Sequence, residues 1–218
     1  MTDNYVSMPR GTVTSALTAG PRGALVLPSF ALFHGWEFFV GASLIWDDDE
    51  RGSDDHFNTI VNVKWEFYEN RDRTGGLAML LGIGAKPGYL SKDRRVDSFS
   101  AYQYVLMGTL PLFGGRVLWD LNPGVLLELD REDPGSDSEW RFTYATRVAV
   151  YGVIPASAIV GEVYGDIGAE TGDPEFKGGI RWEPSDQLNV ALTYGGGPGE
   201  GRPPGLEIGA LIYSRLFD

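Results

Sequence analysis

The stretch FNTIVNVKWEF, residues 57–67, decides the fold because its side chains alternate between two kinds. One set is Phe57, Thr59, Val61, Val63, Trp65 and Phe67, and the other is Asn58, Ile60, Asn62, Lys64 and Glu66. Successive residues of a strand point to opposite sides, so this pattern predicts a strand with one apolar and one polar face. The apolar face can cover a protein core, or it can face lipid around a wet interior. The alternation alone fits both.

The same alternation recurs along the chain and predicts twelve strands in one all-β domain over residues 1–218, with residues 1–10 as an N-terminal tail. The predicted strands are 11–20, 24–33, 36–46, 57–67, 75–86, 98–111, 117–129, 140–151, 158–169, 176–183, 188–194 and 204–217. The connections between them alternate in length. After a brief one near 20–23, every second connection is a long polar loop, at 47–56, 86–97, 130–139, 170–175 and 195–205.

Composition excludes several classes of protein. The net charge of −12 leaves no basic face for nucleic acid, and the absence of cysteine excludes disulfides and thiolate metal sites. No run of about 18 apolar residues predicts a transmembrane helix. The first residues, MTDNYVSMPR, lack the basic and apolar regions of a signal peptide, and we expect a mature chain from which that peptide was removed.

Strand length and aromatic placement favour the lipid-facing interpretation. Several runs last ten residues or more, which suits a tilted strand crossing a bilayer better than a soluble strand of about 5–6 residues. Amphipathic rings bracket the apolar faces, as two interfacial girdles require. The predicted girdle residues are Trp36, Trp46, Phe57, Trp65, Phe67, Trp140, Trp182 and Tyr194. The sequence therefore predicts a closed antiparallel transmembrane β-barrel with short periplasmic turns and long external loops, and a soluble sandwich or lipocalin-like barrel is the alternative.

The polar faces then predict the lining of the barrel interior. A twelve-stranded barrel is too wide for side chains to fill with an apolar core, so its lumen is expected to be polar. The predicted lining residues are Glu37, Asn62, Lys64, Glu66, Asp120, Asn122, Glu128, Arg141, Arg147, Glu162, Asp166, Lys177, Arg181 and Glu207. Two interpretations stay open: a conducting constriction, or a network of ion pairs that holds a closed barrel together.

Several stretches resemble one family of proposed outer-membrane transporters of Gram-negative bacteria, labelled MetA-pathway of phenol degradation. The stretches are ALVLPSFALFHGWEFFVGASLIW at 24–46, WDLNPGVLLELD at 119–130, AIVGEVYGDIG at 158–168, FKGGIRWEPSDQLNVALTYG at 176–195 and GALIYSRLF at 209–217. The resemblance implies a twelve-stranded outer-membrane barrel with a transport role. One departure concerns the end: these barrels usually finish on an aromatic residue, whereas here Phe217 is followed by Asp218, which leaves the lipid-facing register of the last strand open.

The expected function is passage of a small, unidentified solute, and the alternative is a non-conducting structural or surface-interaction barrel. The expected partners are outer-membrane lipid and lipopolysaccharide, and a monomer is favoured over an oligomer. The acids of the long loops outnumber their bases, which predicts a cation-preferring mouth.

Catalytic, cofactor and metal sites are not predicted. Of the two histidines, His34 lies in a tight turn and His56 follows Asp54 at the end of the acidic loop 47–56. A hydrolase at the barrel mouth is the least favoured function, because the second acidic pair that a barrel protease needs is not evident. The acidic loop could bind divalent cations but lacks the spaced ligands of a calcium loop.

Overall fold

The structure, a computed structural model of the 218-residue chain, describes residues 4–21, 23–45, 56–84, 101–129, 138–167, 174–197 and 205–216. It contains twelve strands, as the alternation predicts. They are β1 (Thr12–Gly20), β2 (Gly23–Phe33), β3 (Trp36–Ile45), β4 (His56–Glu69), β5 (Gly76–Gly84), β6 (Ala101–Leu112), β7 (Val117–Glu128), β8 (Glu139–Tyr151), β9 (Ser157–Ile167), β10 (Glu175–Ser185), β11 (Leu188–Gly196) and β12 (Gly205–Arg215).

The strands form one closed antiparallel barrel. Each strand pairs with its neighbours in sequence, and β1 pairs with β12 from Thr12↔Arg215 to Ala19↔Ile208. Closure leaves no unpaired strand edge, which is the condition that lipid imposes on a sheet that crosses it. The predicted fold class is confirmed. In the described part of the chain, no helix is long and apolar enough to span a membrane.

The stretch that opened the sequence analysis lies in β4, between β3 and β5. Trp36 of β3 is paired with Trp65, Glu37 with Lys64 and Val40 with Val61. Outward positions therefore meet outward positions and inward positions meet inward ones. A slip of one residue would exchange the two faces, so the alternation fixes this register.

The outer face is apolar and exposed around the barrel. Large outward side chains with roughly half of their surface open are Val26, Leu32, Val40, Leu106, Leu192 and Ile208. A continuous apolar band of this extent is not a feature of soluble monomers and matches the lipid-facing band of a transmembrane barrel. One pair of polar groups on this face is satisfied locally: the Trp119 indole donates to the Thr146 hydroxyl at 2.8 Å, and that hydroxyl donates to the carbonyl of Asp120 at 3.1 Å.

The two ends of the barrel differ in their connections. The short-turn end carries the turns at 34–35, 70–75, 113–116, 152–156 and 186–187. The opposite end, here called the loop end, carries the brief connection at 21–22 and the long connections, which lie mostly outside the described residues. The first and last strands place Thr14 and Tyr213 as partners on the inner face. Phe217 lies outside the described residues.

Candidate functional site

The barrel encloses a cavity of about 580 Å³, here called the central cavity. Its wall changes character around the barrel. On β1, β2, β11 and β12 the lining is mostly small or apolar, with Ala16, Leu25, Leu27, Ala191 and Leu211, although β12 also contributes Glu207. On β8, β9 and β10 it is charged. Polar side chains also line the cavity on β3, β4, β6 and β7, with Glu37, Asn62, Lys64, Gln103 and Asn122, so the lumen is mostly apolar only on β1, β2, β11 and β12.

The charged wall contains a row of residues that are direct partners across five neighbouring strands. The row, here called the charge ladder, is Thr109 of β6, Asp120 of β7, Arg147 of β8, Glu162 of β9 and Lys177 of β10. Its charges alternate in sign from Asp120 onward. Residues paired across strands lie about 5 Å apart between Cα atoms, so each charge has a charge of opposite sign beside it.

Ion pairs hold both ends of the charge ladder. Arg147 donates through Nη2 at 2.7 Å and Nε at 2.8 Å to the same oxygen of Asp120, whose other oxygen accepts from Thr109 at 2.5 Å. Lys177 donates at 2.8 Å to Glu207 of β12 and lies over the Tyr164 ring at 5.6 Å. Asp120 is buried, whereas Arg147, Lys177 and Glu207 line the central cavity and are partly exposed.

A second group of charges lies further toward the short-turn end. Arg181 of β10 donates to Glu183 at 2.6 Å and also contacts the Tyr151 hydroxyl, with its guanidinium 5.7 Å from the Tyr151 ring centre. All three side chains line the central cavity. Together with the charge ladder, the half-buried charged lining of this wall consists of Arg147, Lys177 and Arg181 against Glu162, Glu183 and Glu207.

A buried arginine stands near the loop end with three carboxylates around it. Arg141 of β8 lies 2.7 Å from Glu139, 3.1 Å from Asp166 and 4.0 Å from Glu128. Among the residues that the structure describes, this cluster holds one positive charge and three negative ones and is therefore acidic. The acidic loops predicted to form the mouth lie largely outside the described residues, but Glu139 and Glu175, expected in those loops, begin strands and are directed inward.

Residues 4–9, here called the N-terminal segment, lie inside the barrel at the short-turn end. Tyr5 is 1% exposed and packs against Ala78, Leu80 and Met107 on the inner faces of β5 and β6. Its amide donates to Thr109 of the charge ladder at 3.4 Å. Residues 4–8 of the expected tail are therefore a packed part of the barrel interior.

Two charged residues of β4 bind the N-terminal segment. Glu66 accepts from the Ser7 amide at 2.7 Å and the Ser7 hydroxyl at 2.8 Å, and Lys64 donates to the Val6 carbonyl at 2.7 Å. The segment joins β1 at Gly11, whose φ of +82° suits glycine. Gly11 donates to Ala31 and accepts from Leu216, both at 2.8 Å, which fixes the point where the segment turns inward.

Burial of Tyr5, followed by the negative charges of Glu69 and Glu66, raises the pKa of its phenol to about 12. The phenol is thus neutral in its pocket at ordinary pH. Within the described part of the chain its oxygen has no hydrogen-bond partner, so the ring contributes through packing.

The remaining predicted lining residues complete the inner face. Glu37 is buried and accepts from Ser29 at 2.5 Å, and the Asn62 amide oxygen accepts from Gln103 at 3.1 Å. That hydrogen bond passes over Gly82, where a Cβ would collide with both side chains. Asn122 lines the central cavity.

The predicted girdle residues within the described chain are directed outward. Trp36 and Trp65 stack near the short-turn end with ring centres 5.6 Å apart, and Phe67 lies 5.5 Å from Trp65. Phe57 follows the long loop at the other end and is paired with Leu44. Trp140, Trp182 and Tyr194 are more than half exposed. Trp46 lies outside the described residues.

The structure brings together no group of histidine and acidic side chains that could hold a metal ion among the residues it describes. Asp54 and most of the acidic loop lie outside those residues, as does the side chain of His56. His34 stands in the turn between β2 and β3, remote from the central cavity.

Comparison with known proteins identifies the fold and leaves the family open. No family model matches the chain, and no curated protein matches it. The structure is similar to the COG4313 outer membrane channel from Pseudomonas putida F1, with a TM-score of 0.63, 12% identity and coverage of 96% of this chain and 98% of that one. It is also similar to the KdgM porin, with a TM-score of 0.60, 8% identity and coverage of 92% and 98%.

A third similar structure belongs to an enzyme. Outer membrane phospholipase A from Escherichia coli matches with a TM-score of 0.51, 13% identity and coverage of 94% of this chain and 91% of that one. At these identities the likeness shows the fold alone, which is the closed barrel of outer-membrane proteins. The same fold therefore occurs in channels and in an enzyme, so the function must be inferred from the residues of the site.

Proposed function

We propose that this protein is an outer-membrane channel through which a small solute passes by way of a charge-lined lumen. The observation that carries the proposal is the combination of a closed barrel, an apolar outer band and a central cavity of about 580 Å³ with charged residues in its lining. Lipid and lipopolysaccharide surround the barrel, its short-turn end faces the periplasm, and it acts as a monomer. Membership of the transporter family that the sequence resembles stays a prediction.

Cation preference is part of the proposal and belongs to the outer entrance. The Arg141 cluster carries three carboxylates and one guanidinium near the loop end, and the loops beyond it are rich in acids. An entrance of one sign concentrates counter-ions and repels co-ions. Replacing Glu128 and Glu139 with glutamine should weaken this preference without touching the central cavity.

The test is planar-bilayer recording of the refolded full chain. We expect discrete conductance steps in potassium chloride and a reversal potential of cation sign under a salt gradient. The E128Q/E139Q variant should move that potential toward zero, while R73Q, an exposed change in the turn between β4 and β5, should not. Folded protein that gives no steps would sink the channel proposal, and clear anion preference would sink the cation part.

A plugged barrel is the second candidate, and the N-terminal segment favours it. Tyr5, Val6 and Ser7 are bound to three strands and occupy the short-turn end of the lumen. On this alternative the charge ladder only stabilises the barrel. Conductance that stays absent after deletion of residues 1–9 would favour it, provided that the variant still shows the heat-dependent gel mobility of a folded barrel.

A further inference from the structure

We propose that the central cavity selects dipolar organic solutes, in which a positive and a negative group lie a few ångströms apart on a small apolar body. This inference rests on the proposed channel function and names the class of its solute. It follows from three features of the cavity: balanced charge, alternating order and an apolar part of the wall beside the charges.

The balance is the first feature. The half-buried charged residues of the cavity wall are three bases and three acids: Arg147, Lys177, Arg181, Glu162, Glu183 and Glu207. Unlike the acidic entrance, this part of the lumen offers no net charge. It has no overall electrostatic attraction for an ion of either sign, so selection depends on the local arrangement.

The order of the charges is the second feature. Glu162 has Arg147 as its partner on one side and Lys177 on the other, and Lys177 also binds Glu207 at 2.8 Å. When an ion of one sign binds one residue of such a row, that residue separates from its neighbour. The neighbour is then left unpaired in a confined space. Unpaired charge away from bulk water is costly. A dipolar solute can bind both members at once, so every charge keeps a partner.

The apolar wall is the third feature. Beside Lys177 and Glu207, the neighbouring strands β11, β12, β1 and β2 line the cavity mostly with small and aliphatic side chains, among them Ala16, Leu27 and Leu211. A solute whose charges meet the ladder directs the rest of its surface toward this wall. An aliphatic body there removes apolar surface from water, whereas a fully hydrated ion would have to give up water without compensation.

The degree of burial shows which charges a solute can reach. Asp120 is 2% exposed and is held by Thr109 and Arg147, so it anchors the ladder. The side chains of Lys177 and Glu207 retain 20% and 25% of their exposure. They are already paired yet open to the cavity, as an exchange of partners with a solute requires.

The test compares three labelled probes of similar size leaving proteoliposomes that contain the refolded full chain. Norleucine carries both charges, butyltrimethylammonium carries a fixed positive charge, and pentanesulfonate carries a negative one. We expect norleucine to leave at least about fivefold faster than either ion. Equal or faster release of either ion from a channel that conducts potassium chloride overturns the inference while leaving the channel proposal intact. Absence of any conductance defeats the channel proposal itself.

A charge exchange isolates the effect of order from that of net charge. Glu162→Lys combined with Lys177→Glu keeps the cavity neutral but puts like charges side by side at Arg147 and at Glu207. The norleucine preference should fall to less than twofold. The milder E162Q/K177Q pair serves if the exchange does not fold, and it should lower the preference as well. A folded variant of either kind that retains the full preference contradicts the proposed role of the ladder.

Discussion

The most informative single change is the truncation of Tyr5 to alanine. The side chain is 1% exposed and fills a pocket formed by Ala78, Leu80 and Met107. Removing a fully buried aromatic ring costs about 3–5 kcal/mol. At about 1.4 kcal/mol per factor of ten, docking of the N-terminal segment should weaken by roughly two to three and a half powers of ten. The four hydrogen bonds of Val6, Ser7 and the Tyr5 amide remain, so the barrel itself should stay folded.

Two measurements would detect the weaker docking of the N-terminal segment. Single-channel conductance should rise because the short-turn end of the lumen widens. A cysteine placed at Val6, unique in a chain without cysteine, should react faster with a bulky maleimide in the Tyr5→Ala background. Unchanged conductance together with an unchanged labelling rate would refute the idea that Tyr5 holds the segment.

Tyr5→Phe is the matched control. It keeps the ring and removes a hydroxyl that has no partner among the described residues, so docking should be equal or tighter. It also tests whether deprotonation of the Tyr5 phenol weakens docking at high pH. The pKa of Tyr5 is raised to about 12, so its contribution to docking is complete below pH 10, the ordinary value, and is lost as the pH rises through 12. The alkaline rise in conductance should be absent from Tyr5→Phe.

Three further changes test the two faces and the ladder. Val61 faces outward and is paired with Val40, so Val61→Arg should lower the stability of the lipid-inserted barrel by about 2–4 kcal/mol in urea titrations. Thr193 lines the cavity, so Thr193→Arg should cost much less. Equal costs would contradict the assignment of the two faces. Gly82→Ala should destabilise by about 1–3 kcal/mol by parting Asn62 from Gln103, while Gly161→Ala, with open space around its Cβ, should be tolerated in the same titration. Asp120→Asn should lower the free energy of unfolding by about 3–5 kcal/mol because Arg147 loses its buried partner. The control, Glu69→Gln in the exposed pair with Arg73, should cost less than about 1 kcal/mol. Similar losses would mean that Asp120 does not anchor the charge ladder.

Much of the barrel could be read from period-two alternation, because a strand exposed to lipid on one side and water on the other has no freedom to shift by one residue. In β4, Val61 and Asn62 occupy the faces that the pattern predicts. Strand ends were harder. Glu139 and Glu175 follow acidic runs and were therefore expected in loops. Each is instead the first residue of its strand, and its side chain points into the barrel. The signal was their spacing: Glu139 stands two residues before Arg141 and Glu175 two residues before Lys177, which puts each pair on the same face of its strand.

The charge ladder and the N-terminal segment could not be predicted in the same way. Alternation assigns a residue to a face but does not say which inward residues are neighbours, since that depends on the pairing of strands such as β9 and β10. The segment around Tyr5 has no period at all. Its position is set by a pocket on β5 and β6 and by Lys64 and Glu66, which are distant in sequence.

The enclosed segment also constrains the order in which the barrel assembles. The ring closes when Thr12 at the start of β1 meets Arg215 at the end of β12, so closure needs the last strand to be in place. Residues 4–9 precede β1 and lie within that ring, held at Gly11 by both flanking strands. The segment is therefore either enclosed as the seam closes or drawn in afterwards through the short-turn end. A folding experiment that times the burial of Tyr5 against β1–β12 pairing would show which event comes first.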